Sequence, residues 1–167
     1  MGMVAGAATL LDRAAIGPGM RVLDAGCGPG RLTLPAAARV GPGGEVVALD
    51  LQAAMLATVR ARVAEQGLAN VRTVLGPLER GIQPIGAFDC ALLVAVLGEI
   101  PHRERALRAL HASLRPGGFL SVTEIMPDPH YQTRGTVRRL AKAAGFQHDR
   151  TYRSPLAFTM NFRKPSR

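Results

Sequence analysis

The stretch "RVLDAGCGPGRLTL", residues 21–34, carries the clearest chemical consequence in this 167-residue chain. An apolar run ends in Asp24, and glycines at 26, 28 and 30 then lead into a helix start. Glycines so spaced let the backbone come close to a ligand. A phosphate loop needs Gly-Lys-Ser/Thr after its glycines, whereas Arg31-Leu32-Thr33 follow Gly30 here. The dinucleotide fingerprint needs a third glycine at the position Arg31 occupies. An acid two residues before the first glycine repels a pyrophosphate and attracts an ammonium or a sulfonium.

A second acid, Asp50, ends the run "VVALD". A carboxylate at the end of a second strand can accept from both hydroxyls of a ribose. The ligand described so far has a ribose and a cationic group and no phosphate. S-adenosylmethionine has all three properties.

The elements that must position these residues alternate. Apolar positions Val4, Ala7, Ala8, Leu11 and Ala15 give an N-terminal helix face,. Strands are expected at "RVLDAG", "EVVALD", "NVRTVLG", "FDCALLVAVL" and "FLSVTEI". Helices are expected at "RLTLPAAARV", with Pro35 in its first turn, at "LQAAMLATVRARVAEQGL" closed by Gly67, at "HRERALRALHASL" stopped by Pro116-Gly117-Gly118, and at "YQTRGTVRRLAKAAGF" ended by Gly145,. The tail alternates like a hairpin turning near Ser154-Pro155,. This pattern implies an α/β fold: a doubly wound, mostly parallel seven-stranded sheet with helices on both faces and an antiparallel C-terminal strand. Ligands of such sheets bind outside the carboxyl ends of the strands, where the winding reverses.

With these motifs in order, the chain resembles the class I S-adenosylmethionine-dependent methyltransferases from about Met20 onward. "VLDAGCGPG", "VVALD", "FDCALLVAVLGEI" and "LRPGGFLSVTE" carry the likeness. The resemblance implies that Asp24 acts near the methionine amino group, while Gly26, Gly28 and Gly30, with the backbone of Cys27, let the chain approach the cofactor. It implies that Asp50 holds the ribose, that Leu51 and Met55 lie beside the adenine, and that Val94 and Ala95 line the methionine end. The family's usual acid after the third strand is missing. Gly76, Pro77 and Leu78 stand there, so their backbone replaces it or Glu79 reaches back.

Methyl transfer is mainly positioning, with a base needed only for an acceptor that must lose a proton. Glu99 and His102 are the catalytic candidates; Glu124, His130 and Tyr131 also fall near the expected mouth. The Asn/Asp-Pro-Pro-aromatic motif of amide and exocyclic-amine enzymes is replaced by "VAVLGEI". Cys90 lies within the fourth strand rather than after it, and the only lysines are Lys142 and Lys164. No metal is called for. What remains resembles the quinone-biosynthesis and small-molecule group, with a small-molecule acceptor.

The net charge of +9 includes 19 arginines among 21 basic residues. Nine basic residues against one acid, Asp149, lie between Tyr131 and Arg167, so a nucleic-acid methyltransferase is one alternative function,. The other is a non-catalytic cofactor-binding protein of this fold. The chain reads as one cofactor-binding domain over 1–167, with 1–18 as an N-terminal helix and linker,. Two cysteines without CxxC spacing, no signal peptide and no membrane-length apolar run suggest the cytoplasm,. About twenty residues precede the first strand, and "LGEIPH" and "MPDPHYQ" are short loops. An open mouth is therefore expected, lined by the N-terminal helix, Glu99–His102 and Pro127–Tyr131. It would be completed by a homodimer partner, an N-terminal segment or a large or membrane-dissolved acceptor.

Overall fold

The structure, a computed structural model, describes residues 5–167. Val4 lies outside them, and the first helix, α1, spans Ala7–Arg13. The strands are β1 (Arg21–Ala25), β2 (Glu45–Asp50), β3 (Val71–Leu75), β4 (Phe88–Val94), β5 (Leu114–Ile125), β6 (Gln147–Ser154) and β7 (Ala157–Arg163). The other helices are α2 (Thr33–Val40), α3 (Ala53–Glu65), α4 (Arg103–Ser113) and α5 (Arg134–Ala143). One seven-stranded sheet has the order β3-β2-β1-β4-β5-β7-β6. β1 to β5 are parallel, and β7 runs antiparallel to both β5 and β6.

Side chains alternate across a strand, and that period sorts the core into two layers. Leu23, Leu93, Leu120 and Phe158 pack with α4 and α5. Val22, Val46, Cys90 and Leu92 pack with α1 and α2, while Ala48 packs with Leu56 and Val59 of α3. β4 is buried at Phe88 and from Cys90 to Leu93, as a central parallel strand covered on both sides must be,. Both cysteines are buried; burial and the Asp24 and Asp50 carboxylates push the Cys27 thiol up to about 12, and burial with Asp89 pushes Cys90 up as well. β6 is one of the two edge strands, and its exposed Arg150 and Arg153 belong to the basic C-terminal stretch. Charges on an edge oppose unwanted strand pairing.

Several element ends differ from the sequence expectation. α2 begins at Thr33 rather than Arg31, β4 ends at Val94 rather than Leu97 and α5 begins at Arg134 rather than Tyr131. Two further differences have identifiable causes. Pro116-Gly117-Gly118 does not stop α4, which ends at Ser113; it lies within β5. The reason is tertiary: the Gly117 N–H donates to Lys164 O at 3.0 Å and the Lys164 N–H to Gly118 O at 2.8 Å, so the segment pairs with the chain beyond β7. α3 begins at Ala53 rather than Leu51 because the Asp50 side chain takes the Gln52 N–H at 2.9 Å and holds the chain in a turn,.

Candidate cofactor site

The sheet order reverses between β1 and β4, and a cleft of about 490 Å³ opens at their carboxyl ends. Gly26, Gly28, Asp50, Leu51 and Met55 form one side. Pro77, Leu78 and Glu79 form a second. Val94, Ala95 and Val96 floor it, and Glu99, Ile100 and Pro101 close the third side.

Asp50 organises the turn as well as facing the cleft. Its Oδ2 accepts from the Gly28 N–H at 2.9 Å and its Oδ1 from the Gln52 N–H at 2.9 Å. A carboxylate offers about four lone-pair sites, so both oxygens retain capacity for ribose hydroxyls. The Gly26 and Cys27 N–H groups both donate to Leu49 O, at 2.8 and 2.9 Å, tying the glycine turn to β2. Ala95 has a φ of +54° at the end of β4, and its N–H donates to Thr123 O at 2.8 Å. A non-glycine residue in the left-handed region is uncommon, and such residues gather at functional sites.

Several expected residues lie elsewhere. The alternation of β1 turns Asp24 toward α2, where it is buried and accepts from Thr33 Oγ1 at 2.6 Å. It lies behind the cleft lining, with its carboxyl raised to about 6 by burial, against the lowering effect of the Thr33 bond. Cys27 and Gly30 also lie outside the lining; the Gly30 N–H closes the turn onto Cys27 O at 3.1 Å. Gly76 is not in the lining either, but its N–H donates to Asp50 O at 3.1 Å.

On the acceptor side, Glu99 faces the cleft and His102 does not. A single 3₁₀ turn over Leu97–Glu99 and the extended residue after it carry the chain round to His102 at the N-cap of α4, beside Arg103 and Arg139. α1 and residues 127–131 are absent from the lining. α1 packs on α2 through Leu10 and Leu11, and Tyr131 packs edge-on to Phe158 at 5.9 Å. Ile100 and Pro101, within the expected 99–102 stretch, line the cleft, and Leu49, Gln52 and Val96 line it without having been singled out by sequence. For Gln52 the signal was adjacency to Asp50; for Val96 there was none, since its place depends on the approach of Gly26.

Among the described residues, no group of three or more His, Cys, Asp or Glu could hold a metal ion. No described helix is long and apolar enough to cross a membrane. The charged residues of the cleft lining are Asp50, Glu79 and Glu99, with no lysine or arginine among them. Such a site suits a cation and disfavours a phosphate. Residues 22–118 match the methyltransferase domain family.

The chain belongs to the class I S-adenosylmethionine-dependent methyltransferases.

Relatives of this methyltransferase include nocamycin O-methyltransferase of Saccharothrix syringae, 39% identical over 124 residues, which span 72% of this chain and 43% of that one. The ubiquinone/menaquinone biosynthesis C-methyltransferase UbiE of Ectopseudomonas mendocina (strain ymp) is 39% identical over 115 residues, 68% of this chain and 45% of the relative. The matched part of this chain thus spans less than half the length of these curated relatives. Among solved structures, the 1,6-didemethyltoxoflavin-N1-methyltransferase of Burkholderia thailandensis, with its substrate and S-adenosylhomocysteine bound, has a TM-score of 0.76 and 26% identity. That likeness covers 95% of this chain and 76% of that one.

Proposed function

We propose that this chain binds S-adenosylmethionine in the cleft and directs its methyl group to a small-molecule acceptor. The observation that carries this reading is the cleft's charge: three carboxylates and no basic side chain around an apolar floor. Bound there, the cofactor would supply an electrophilic methyl on a sulfonium, open to in-line attack at the methyl carbon with the C–S electron pair leaving on sulfur.

The chain's own residues divide the remaining work. Asp50 accepts from the ribose hydroxyls while holding the Gly28 and Gln52 amides. Leu51 and Met55 sandwich the adenine edge, and Glu79 accepts from its amino group. Glu79 is favoured over backbone because the Pro77 and Leu78 carbonyls already take the Arg80 and Gly81 N–H groups at 3.2 and 3.0 Å. Val94, Ala95 and Val96 keep the reacting centre apolar, which favours a step that disperses charge. Glu99 takes a proton from an acceptor that must lose one. Asp24, Cys27 and Gly30 shape the turn from behind. The relatives and neighbours include O-, C- and N-methyltransferases, which supports a framework that does not itself fix the acceptor atom.

Calorimetry with S-adenosylhomocysteine tests the assignment. Asp50→Ala is expected to weaken binding by about 1–3 kcal/mol, the scale of losing a buried hydrogen-bond partner. Glu79→Ala is expected to cost about tenfold, roughly 1.4 kcal/mol. Unchanged affinity in Glu79→Ala would transfer the adenine contact to the backbone of 76–78, and unchanged affinity in Asp50→Ala would remove the ribose assignment.

A further inference from the structure

Glu124, near the carboxyl end of β5, is 2% exposed. Its Oε2 accepts from the Gln132 N–H at 2.9 Å, while its Oε1 is buried without a hydrogen-bond partner. Leaving a buried polar atom unpaired costs about 1–3 kcal/mol, and more if it is charged. Glu124 does not line the cleft and plays no part in the assignment above. Its location relates it to the cleft all the same. Thr123 pairs with Val94 across β4 and β5, which places Glu124 beside Ala95 of the cleft floor.

The two segments above Glu124 lock together. Residues 126–132 are pinned by Met126 N–H to Leu156 O at 2.7 Å, Tyr131 N–H to Asp128 O at 3.0 Å and the Gln132–Glu124 bond. The 97–101 wall rests directly on this segment: a Cβ on Gly98 would overlap the carbonyl oxygen of His130. Arg103 braces the same wall, donating from Nε to Leu97 O at 3.2 Å and from Nη2 to Gly98 O at 2.8 Å. Glu99, Ile100 and Pro101 of that wall face the cofactor cleft.

We propose that Glu124 is a positioning residue that, while it carries its proton, holds segment 126–132 against the 97–101 wall of the cofactor cleft, and that losing the proton loosens that wall. The physical reason is the orphan oxygen. A neutral acid tolerates the dry site, whereas a carboxylate there demands a donor. The guanidinium available is that of Arg103, and drawing it toward Glu124 removes it from Leu97 O and Gly98 O. The alternative is entry of water under 126–132; either change releases the wall.

Burial holds the Glu124 carboxyl up at about 7; the Gln132 N–H lowers it, Asp128 raises it and Arg103 lowers it. Glu99, His130 and Tyr131 are the other titratable groups on the two segments, and His102 follows the first of them. β7 presents Phe158 opposite Glu124, and Ala95, just past the end of β4, lies on the other side; neither titrates.

Hydrogen exchange of segments 96–101 and 126–132, corrected for the intrinsic pH dependence of exchange, tests the proposal in the wild type, Glu124→Gln and Glu124→Leu. In the wild type, protection of both segments is expected to fall about tenfold, 1.4 kcal/mol, between pH 6 and pH 8.5. Glu124→Gln, which keeps an acceptor for the Gln132 N–H and cannot ionise, is expected to hold the protection of pH 6 throughout. Glu124→Leu, which has no acceptor, is expected to be loose in 126–132 at both pH values. S-adenosylhomocysteine affinity should fall with pH in the wild type and not in Glu124→Gln. Protection independent of pH in the wild type, or a Gln variant that follows the wild-type profile, would overturn the proposal. The inference takes its ligand from the function proposed above. A failure of S-adenosylhomocysteine to bind at any pH would refute that function, while the exchange profile would still decide the role of Glu124.

Discussion

Gly26→Ala is expected to weaken S-adenosylhomocysteine binding at least thirtyfold, about 2 kcal/mol, and to lower the stability of the ligand-free protein as well. Two separate costs act at this position. The backbone has a φ of +75°, where an L side chain carries about 1–2 kcal/mol of strain,. An added Cβ would also lie 2.6 Å and 2.7 Å from the two Cγ atoms of Val96 and 3.2 Å from its Cβ. Valine is short and branched at Cβ, so it cannot swing its far end aside, and overpacking of this kind costs about 1–3 kcal/mol. Relief requires the β1 turn to part from Val96, which widens the cleft at its floor. Gly28→Ala gives the contrast, because a Cβ there meets nothing within 4 Å. Its effect should appear in ligand affinity with a smaller loss of stability. Urea denaturation and calorimetry on both variants check this; a Gly26→Ala protein with native affinity would show that Val96 yields freely.

The wild type is expected to be less stable at pH 8 than at pH 5 by several kcal/mol. Asp24 is raised from 3.8 to about 6 and Glu124 from 4.5 to about 7, both chiefly by burial. For an acid raised in the folded state, the native protein binds more protons than the unfolded chain between the two values, so stability falls as pH rises across that interval. The loss runs from about pH 4 to 6 for Asp24 and from about pH 4.5 to 7 for Glu124. At 1.36 kcal/mol per unit, each contributes about 3 kcal/mol. Glu45 opposes this at the acid end: although burial raises its carboxyl, the hydrogen bonds and charges of Arg21 and Arg72 outweigh it and lower it overall. Denaturation curves for the wild type, Asp24→Asn and Glu124→Gln from pH 5 to 8 check the sign. Each variant should flatten its own part of the profile, and a wild type that gains stability over this range would contradict the burial argument.

The sheet and its order of elements were legible because the period of the apolar residues is local and the turns between them are marked by glycine and proline. The same is true of Asp50, whose place at the end of an apolar run is a local property. What escaped the sequence depends on approaches between distant segments. Pro116-Gly117-Gly118 reads as a helix stop until Lys164 is known to pair with it. Asp24 reads as facing the cleft, whereas the pleat of β1 places its side chain against Thr33 and outside the lining. His102 reads as a neighbour of Glu99, yet the turn at 97–99 carries it out of the cleft. Glu124 was noted only as one acid near the mouth; its burial and its one unpaired oxygen depend on the distant Gln132 segment that takes the other oxygen.

The charge of the cleft is the centre of the account, and a calorimetric comparison of ligands tests it most directly. S-adenosylmethionine and S-adenosylhomocysteine are expected to bind one to one, with NAD and ATP at least a hundredfold weaker, about 2.7 kcal/mol. Asp50, Glu79 and Glu99 line the cleft with no lysine or arginine in the lining, and a pyrophosphate or triphosphate would meet repulsion there. Tighter binding of NAD or ATP than of S-adenosylhomocysteine would contradict the account.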